Sequence, residues 1–401
     1  MIHKIAIENF FSIADRQELV FKVPGNTPDV PRFKPSRAFP ETRLPVLIGF
    51  FGPNASGKST ILRALVAAAA FAGQSFSLGV GANIPLFQSY MRKDWWHRPS
   101  IISIDFDGQL TQEQPASLFR YELHIAHEPD VTGYAVAKTV AYEALTYAPK
   151  GKQRKLFERK GQTFSFGKEF EIPDNDPRVQ SIRPNASIVS TLAQLNHKLS
   201  IDFSKSLAGI QTNISGFDKA NLHPNQMLPF YVQNPDYLEH LNRELKRLDV
   251  GLEEMVIEQG NAGLFAKFNH TGLDAPIFMN EESAGTRRFI EIFPRLQFVL
   301  ENGSIAIIDE LDTDLHPLLV PELFRWFSDP IRNKSGAQLF FTAHNPALLD
   351  EMEKEQVFFT GKSSGQPTSV YGARDIKGLR REPSLMKKYL AGELGAVPYI
   401  G

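Results

Sequence analysis

No cysteine occurs among the 401 residues, so disulfides, thiolate metal sites and cysteine nucleophiles are excluded from the outset. Charge of neither sign is in excess, because 44 Lys and Arg face 45 Asp and Glu. That balance argues against a chain that coats nucleic acid by bulk charge and leaves only local basic patches for such contact. The opening residues, Met1-Ile2-His3-Lys4-Ile5, lack the charged-then-apolar layout of a signal peptide. The longest apolar stretch, around residues 64–72, is too short to span a bilayer. The expectation is a cytoplasmic protein with no membrane association. Internal repeats, low-complexity tracts and sustained heptads are also lacking. What is present, 42% hydrophobic and 22% charged residues, is ordinary for a globular chain with room for a sizeable core.

The hydrophobic pattern changes along the chain. Ile2, Ile5 and Ile7, then Leu19, Val20 and Phe21, predict a strand pair with a turn near Asp15. The proline-rich stretch from Pro24 to Pro45 predicts an exposed loop. Val46 to Phe51 is continuously apolar and predicts a buried parallel strand, followed by a helix from Ser59 to about Ala72. Period-two runs between Ile101 and Phe170 predict antiparallel strands. Between Pro184 and Glu258 the spacing becomes helical, as in Leu238-Leu241-Leu245-Leu248. The runs Ile305–Ile308 and Leu339–Phe341 then return the chain to the central sheet.

The segment Gly52-Pro53-Asn54-Ala55-Ser56-Gly57-Lys58-Ser59-Thr60 fits G-x-x-x-x-G-K-S at every position. Its glycines let backbone N–H groups turn inward on phosphate oxygens. Lys58 is placed to neutralise the β and γ phosphates, and the Ser59 hydroxyl to ligate Mg2+. The helix that follows offers its N-terminus to the anion. Downstream, Ser304 to Ile308 is a strand that ends in Asp309 and Glu310. In a P-loop protein an acid there sits beside the nucleotide's metal, so Asp309 is expected to hold Mg2+ through water and Glu310 to polarise the attacking water. Ser283-Ala284-Gly285 precedes a helix predicted over Arg287 to Leu300. Ser283 can cap that helix or donate to a γ-phosphate oxygen, and its place ahead of Asp309 favours the second role. Leu339 to Phe341 leads to Thr342-Ala343-His344, which puts a histidine at the end of a sheet strand.

These four elements, in this order, resemble the ABC ATPase family, and among its branches the compact bacterial AAA-family ATP-binding proteins related to SMC-like, RecF and OLD-type ATPases. The likeness extends to the opening run Ile5 to Ser12, to Glu310-Leu311-Asp312 with His316-Pro317, and to Tyr389-Leu390-Ala391-Gly392. By that resemblance Gly52–Thr60 is the Walker A motif, Ser283-Ala284-Gly285 the signature loop, Asp309 and Glu310 the Walker B acids and His344 the switch histidine. Asp312 or Asp314 would lie in the D-loop that runs across the dimer seam. Gln88 is the candidate for the glutamine that reaches the metal. The signature departs from the common Leu-Ser-Gly-Gly form, with Ala284 in place of a glycine.

The resemblance implies an α/β fold: a P-loop ABC-type ATPase head with an antiparallel side sheet and an inserted strand-and-helix lid. Residues 1–100 and 261–401 would form the two parts of the head, 101–183 its antiparallel region and 184–260 a helical insertion. It also implies ATP and Mg2+ as ligands, ATP hydrolysis as the reaction, and a homodimer or higher homo-oligomer with composite sites. A separate effector, a nuclease or toxin, fits the anti-phage and abortive-infection systems in which small members of this branch resemble the ATPase component, PARIS among them. The alternative is a RecF-like or SMC-like ATPase of DNA repair. Lys58 and Ser283 are 225 residues apart and many of the residues between look like strands, so a long coiled-coil arm is not expected. A basic cluster of Lys150, Lys152, Arg154, Lys155, Arg159 and Lys160 reads first as a solvated turn and second as a contact for nucleic acid or a partner. Trp95-Trp96 reads first as packing. The basic residues Arg374, Lys377, Arg380, Arg381, Lys387 and Lys388 read first as solvated.

Overall fold

The computed structural model of the protein describes residues 1–111, 113–173, 175–215, 218–219, 224–248, 251–261, 263–379 and 384–396. At the start, β1 (Ile2–Glu8) and β2 (Gln17–Val20) pair antiparallel. The proline-rich stretch is exposed loop only in part, because β3 (Phe33–Pro35) and β4 (Arg43–Pro45) pair within it. Phe33 and Leu44 are buried beneath this ribbon, whose prolines lie at strand ends where a missing N–H breaks no ladder. Next come β5 (Leu47–Phe51) and α1 (Lys58–Gln74). An antiparallel run follows in β6 (Ser100–Gly108), β7 (Ser117–Pro129), β8 (Ala135–Ala148), β9 (Arg154–Lys160) and β10 (Thr163–Phe166).

The middle of the chain holds α2 (Ile188–Gln194), α3 (Lys198–Ala208), β11 (Gln211–Thr212) and a small hairpin of β12 (Ile214–Ser215) and β13 (Asp218–Lys219). Then come α4 (Leu228–Gln233) and α5 (Pro235–Leu248). Helical spacing ends earlier than expected, because β14 (Leu252–Gly260) pairs along its length with β15 (Gly263–His270), which in turn pairs with β16 (Ile277–Phe278). Gly251, at φ 94°, turns the chain into β14, and Val256 and Ile257 favour strand. The expected division at residue 260 falls inside this hairpin. The last third carries α6 (Ala284–Asn302), β17 (Ile305–Ile308), α7 (Leu319–Ser328), β18 (Gln338–Thr342), β19 (Val357–Gly361), β20 (Ser369–Gly372) and α8 (Leu385–Leu390).

Two sheets organise the molecule. The larger is antiparallel, in the order β10-β9-β8-β7-β6-β1-β2, and so joins the first strands to the 101–166 region. The other has the order β11-β17-β18-β5-β19-β20 and is parallel from β11 to β19. Period two divides its side chains between two cores. Ile48, Phe50, Ile307, Phe340 and Phe358 face one core with α1 and the antiparallel sheet. Leu47, Phe51, Ile308, Leu339, Phe341 and Phe359 face the other with α6 and α7. Burial on both faces is why these strands read as unbroken apolar runs.

α1 packs on β17 and β18 from one side and on β1 and β6 from the other. By length and composition the stretch Lys58–Ser77 could cross a bilayer, longer than the apolar run expected from the sequence, but Ile61, Leu62, Leu65, Ala68 and Phe71 are buried between the two sheets. α6 begins one turn earlier than expected and passes through Pro294 without ending. The proline cannot donate to Ile290 O, and the buried Tyr231 hydroxyl donates to that carbonyl instead, at 2.8 Å.

Candidate functional site

The loop from Gly52 to Gly57 connects β5 to α1, and its glycines are set by close neighbours. A Cβ on Gly52 (φ 152°) would come within 2.3 Å of Thr360 O, and one on Gly57 (φ 100°) within 2.4 Å of Thr368 Oγ1. The walls that press on the loop are hydroxyls: Ser56 Oγ lies 2.6 Å from Thr360 Oγ1, and Thr368 Oγ1 is 2.9 Å from both Ser56 O and Ser12 Oγ. Ser12 Oγ continues the chain to Thr60 Oγ1 at 3.0 Å. Gly57 ends the loop in a left-handed conformation, and no side chain caps the first turn of α1, so the Lys58 and Ser59 N–H groups remain available to an anion, while Thr60 N donates to Gly57 O at 3.1 Å. Lys58 folds back over the loop and donates to Gly52 O at 2.8 Å and Pro53 O at 3.0 Å. Burial pushes its ammonium down from the ordinary value, against the opposing pull of the Asp309, Glu310 and Asp312 carboxylates.

Adjacent parallel strands bring the acids to the same place. Asp309 follows β17 and is buried; its Oδ1 accepts from Ser59 Oγ at 2.9 Å and from Thr342 Oγ1 at 2.6 Å. Its backbone is held on both sides by the Asn213 amide, with Nδ2 donating to Asp309 O and Oδ1 accepting from Asp309 N. Glu310 has the left-handed φ of 49°, rare for a side-chain-bearing residue, and its N–H donates to Thr342 Oγ1 at 2.7 Å. The Glu310 carboxylate is partly exposed, accepts from Thr313 Oγ1 at 3.2 Å and lies 3.6 Å from His344 Nε2. Asp312 turns inward, where Oδ2 accepts from His344 N at 2.9 Å and Asn345 N at 2.7 Å. It therefore braces its own chain's histidine loop.

A cavity of about 720 Å³ unites Asn54 to Thr60 with Glu310, His344 and Gln88, a size suited to a nucleotide. Gln88 is turned so that Nε2 donates to Met91 Sδ at 3.0 Å. The sequence did not single out Arg63, Tyr90, Arg92 or Lys362, which also line the cavity, and marked Phe11 only as part of the opening run. Arg63, on the same face of α1 as Ser59, places its guanidinium 5.6 Å from the Phe11 ring centre. Neither Arg63 nor Lys362 lies in a strand-end motif, so periodicity gave no signal for them.

Ser283, Ala284 and Gly285 are not part of that cavity. Ser283 caps α6, its Oγ accepting from Thr286 N at 3.0 Å. Gly285 is pressed against the segment after Glu310, where a Cβ would come within 3.0 Å of Asp314 O.

The donor set fits magnesium. It consists of hard oxygens, the Ser59 hydroxyl and one buried carboxylate, and Mg2+ characteristically takes one or two carboxylates together with substrate phosphates. Among the described residues there is no cluster of three or more His, Cys, Asp or Glu able to hold an ion alone.

The basic cluster at β8–β10 divides. Arg159 is fully buried, donating to Gly161 O, Ala186 O and Arg183 O, and is no part of a surface patch. Arg154 pairs with Glu169 at 2.9 Å, and Lys155 bonds Ser165 at 2.7 Å. Trp95 and Trp96 are half-buried, as packing implies. Arg374 donates to Val20 O at 2.6 Å, and Arg380 and Arg381 lie outside the described residues.

A parallel sheet carries the P-loop between β5 and α1, with acids at the end of the strand two places away, an arrangement that suits nucleotide binding. Residues 231–350 match the family model described as "AAA domain, putative AbiEii toxin, Type IV TA system". That segment holds Ser283, Asp309, Glu310 and His344 but not Gly52–Thr60, so the P-loop is observed independently of the match. No curated protein matches the chain. Among solved structures, the SMC head domain from Thermotoga maritima is similar at 14% identity and a TM-score of 0.43, over 92% of this chain and 98% of that one. A Pyrococcus furiosus Smc head domain with an extended coiled coil, bound to the C-terminal domain of ScpA, is similar at 11% identity and a TM-score of 0.44, over 98% of each chain.

Proposed function

We propose that this chain is an ATP-driven switch: it binds Mg-ATP at Gly52–Thr60, hydrolyses it with Glu310, and does so as a dimer in which each site is completed by the partner copy's Ser283 loop. The observation that carries the reading is the meeting of Ser59 and Asp309 at 2.9 Å beside Lys58, with Glu310 and His344 on the same cavity. Lys58, freed from Gly52 O and Pro53 O, would neutralise the β and γ phosphates, and the N–H groups of the loop and of the first turn of α1 would hold their oxygens. Magnesium would be held by Ser59 and by Asp309 through water, and supplies charge neutralisation to the triphosphate. Glu310 orients a water and takes its proton. His344, near Glu310, contacts the γ-phosphate side.

The shared site is supported by the position of Ser283-Ala284-Gly285, at a helix N-terminus outside the chain's own cavity and against the segment that follows Glu310. We further propose that the switch acts in the cytoplasm on a separate effector in anti-phage defence, a setting favoured by the toxin-system description of the family matched over residues 231–350. A DNA-repair role in the manner of RecF or SMC-like proteins is the second reading, and ATP-dependent, salt-sensitive DNA binding would favour it.

Phosphate release and calorimetry test the core of the proposal. Lys58→Ala should abolish tight Mg-ATP binding. Glu310→Gln should keep binding and slow turnover by orders of magnitude, because an amide cannot accept the water's proton. Unchanged affinity in the first variant, or normal turnover in the second, would overturn the assignment.

A further inference from the structure

We propose that Asn9 is a positioning residue for the nucleotide cavity, fixing the segment 88–98 whose Gln88, Tyr90, Met91 and Arg92 form one wall. The inference rests on the ATP-binding reading above. Asn9 lies just past β1, fully buried, at a left-handed φ of 48° that asparagine tolerates better than most residues. Its side chain reaches sideways into the segment. Nδ2 donates to Arg98 O at 2.7 Å and Trp95 O at 3.1 Å, and Oδ1 accepts from Tyr90 N at 2.8 Å. One amide thus ties together both ends of a nine-residue stretch, from Tyr90 to Arg98.

The adjoining backbone adds to the hold. Phe11 N donates to Gln88 O at 2.8 Å, and Ser100 Oγ donates to Asn9 O at 2.5 Å. The regular structure between Gln88 and Arg98 is a single helical turn, Lys93–Trp95, so these bonds set the path of the segment where a sheet ladder would otherwise do so. Phe11 and Ser12, two and three residues beyond Asn9, are themselves cavity residues. Asn9 therefore sets the relative position of two cavity walls that are far apart in sequence, the 11–12 wall and the 88–92 wall. Its hydrogen bonds reach neither the phosphate loop nor the acids, so its effect on nucleotide is exerted through the residues it holds.

Asn9→Gly removes the amide and keeps the left-handed backbone accessible. We expect it to raise the Kd for Mg-ATP about tenfold, through loss of a preorganised wall. In nucleotide-free protein, amide hydrogen exchange should quicken in residues 88–98 while α1 and β17 keep their protection. A double-mutant cycle separates positioning from general weakening: Gln88→Ala with Arg92→Ala should weaken binding in the wild type and add little on Asn9→Gly. If Asn9→Gly does not fold, Asn9→Asp, which sets an oxygen against the Trp95 and Arg98 carbonyls, is read in the same way. An unchanged Kd, or fully additive effects, overturns the proposal. If wild-type protein binds no Mg-ATP, the nucleotide reading fails on its own. The exchange measurement still decides whether Asn9 holds the segment, since unchanged exchange across 88–98 would show that it does not.

Discussion

Thr342 uses both halves of its hydroxyl at the centre of the site, donating to Asp309 and accepting from the Glu310 N–H. Lys58 was legible from the sequence because motif and chemistry coincide there. Thr342 was not, because a threonine at the end of a sheet strand carries no signal of its own until the neighbouring strand is known. The same holds for Asn213, Ser12 and Thr368, whose partners lie 96, 48 and 312 residues away. Thr342→Val keeps the shape and removes both bonds. It should lower stability by about 1–3 kcal/mol and slow hydrolysis by about tenfold or more, with little change in the KM for ATP. Urea titration and steady-state kinetics check this; a variant that loses stability but keeps its kcat would show that Thr342 supports the strand and not the reacting groups.

Elements were legible where one period ruled. β5, β17 and β18 declared themselves as continuous apolar runs because both faces are buried. The ribbon of β3 and β4 was hidden by its prolines, and β14 by leucines that continue the helical spacing of α5 up to Leu248. Arg159 was grouped with its basic neighbours because the sequence cannot show that its side chain turns inward to three carbonyls. The antiparallel sheet carries a pH dependence of its own. His127 on β7 bonds Ser100 Oγ on β6 at 2.8 Å, and Ser100 gives its proton to Asn9 O, so Nε2 is the protonated nitrogen. Nδ1 is buried with no hydrogen-bond partner. Burial, assisted by the nearby Lys138 charge, lowers the imidazole from 6.5 to about 4. Between those values the unfolded chain binds a proton that the folded chain does not, so this contribution is complete above pH 6.5 and declines as pH falls toward 4. From pH 7 to pH 5, wild type should lose about 2 kcal/mol more stability than His127→Gln, since each pK unit is worth about 1.4 kcal/mol. Equal losses in urea titrations would place the titration elsewhere.

At the scale of the molecule, one chain supplies a P-loop, Glu310 and a histidine to a single cavity, sets Asp309 against Ser59 of that loop, and leaves the Ser283 loop outside it. The order of these motifs along the sequence was enough to anticipate their convergence. Of the other walls only Gln88 was named as a site residue; Tyr90, Met91, Arg92 and Lys362 were not legible, because no motif marks them and their place depends on how two sheets meet. Whether two copies complete each other's sites, as proposed above, is tested most directly by mixing variants. Lys58→Ala and Ser283→Arg proteins should each be inactive alone, because both sites of each dimer carry a defect. In a mixed dimer both defects fall in one site and the other is wild type. Random exchange makes about half of the dimers mixed, so phosphate release should recover to roughly a quarter of the wild-type rate. Coupling between sites would lower that figure and would show separately as strong inhibition of wild type by Lys58→Ala protein. No recovery on mixing, with subunit exchange demonstrated and Lys58→Ala merely diluting wild type, would contradict the shared site.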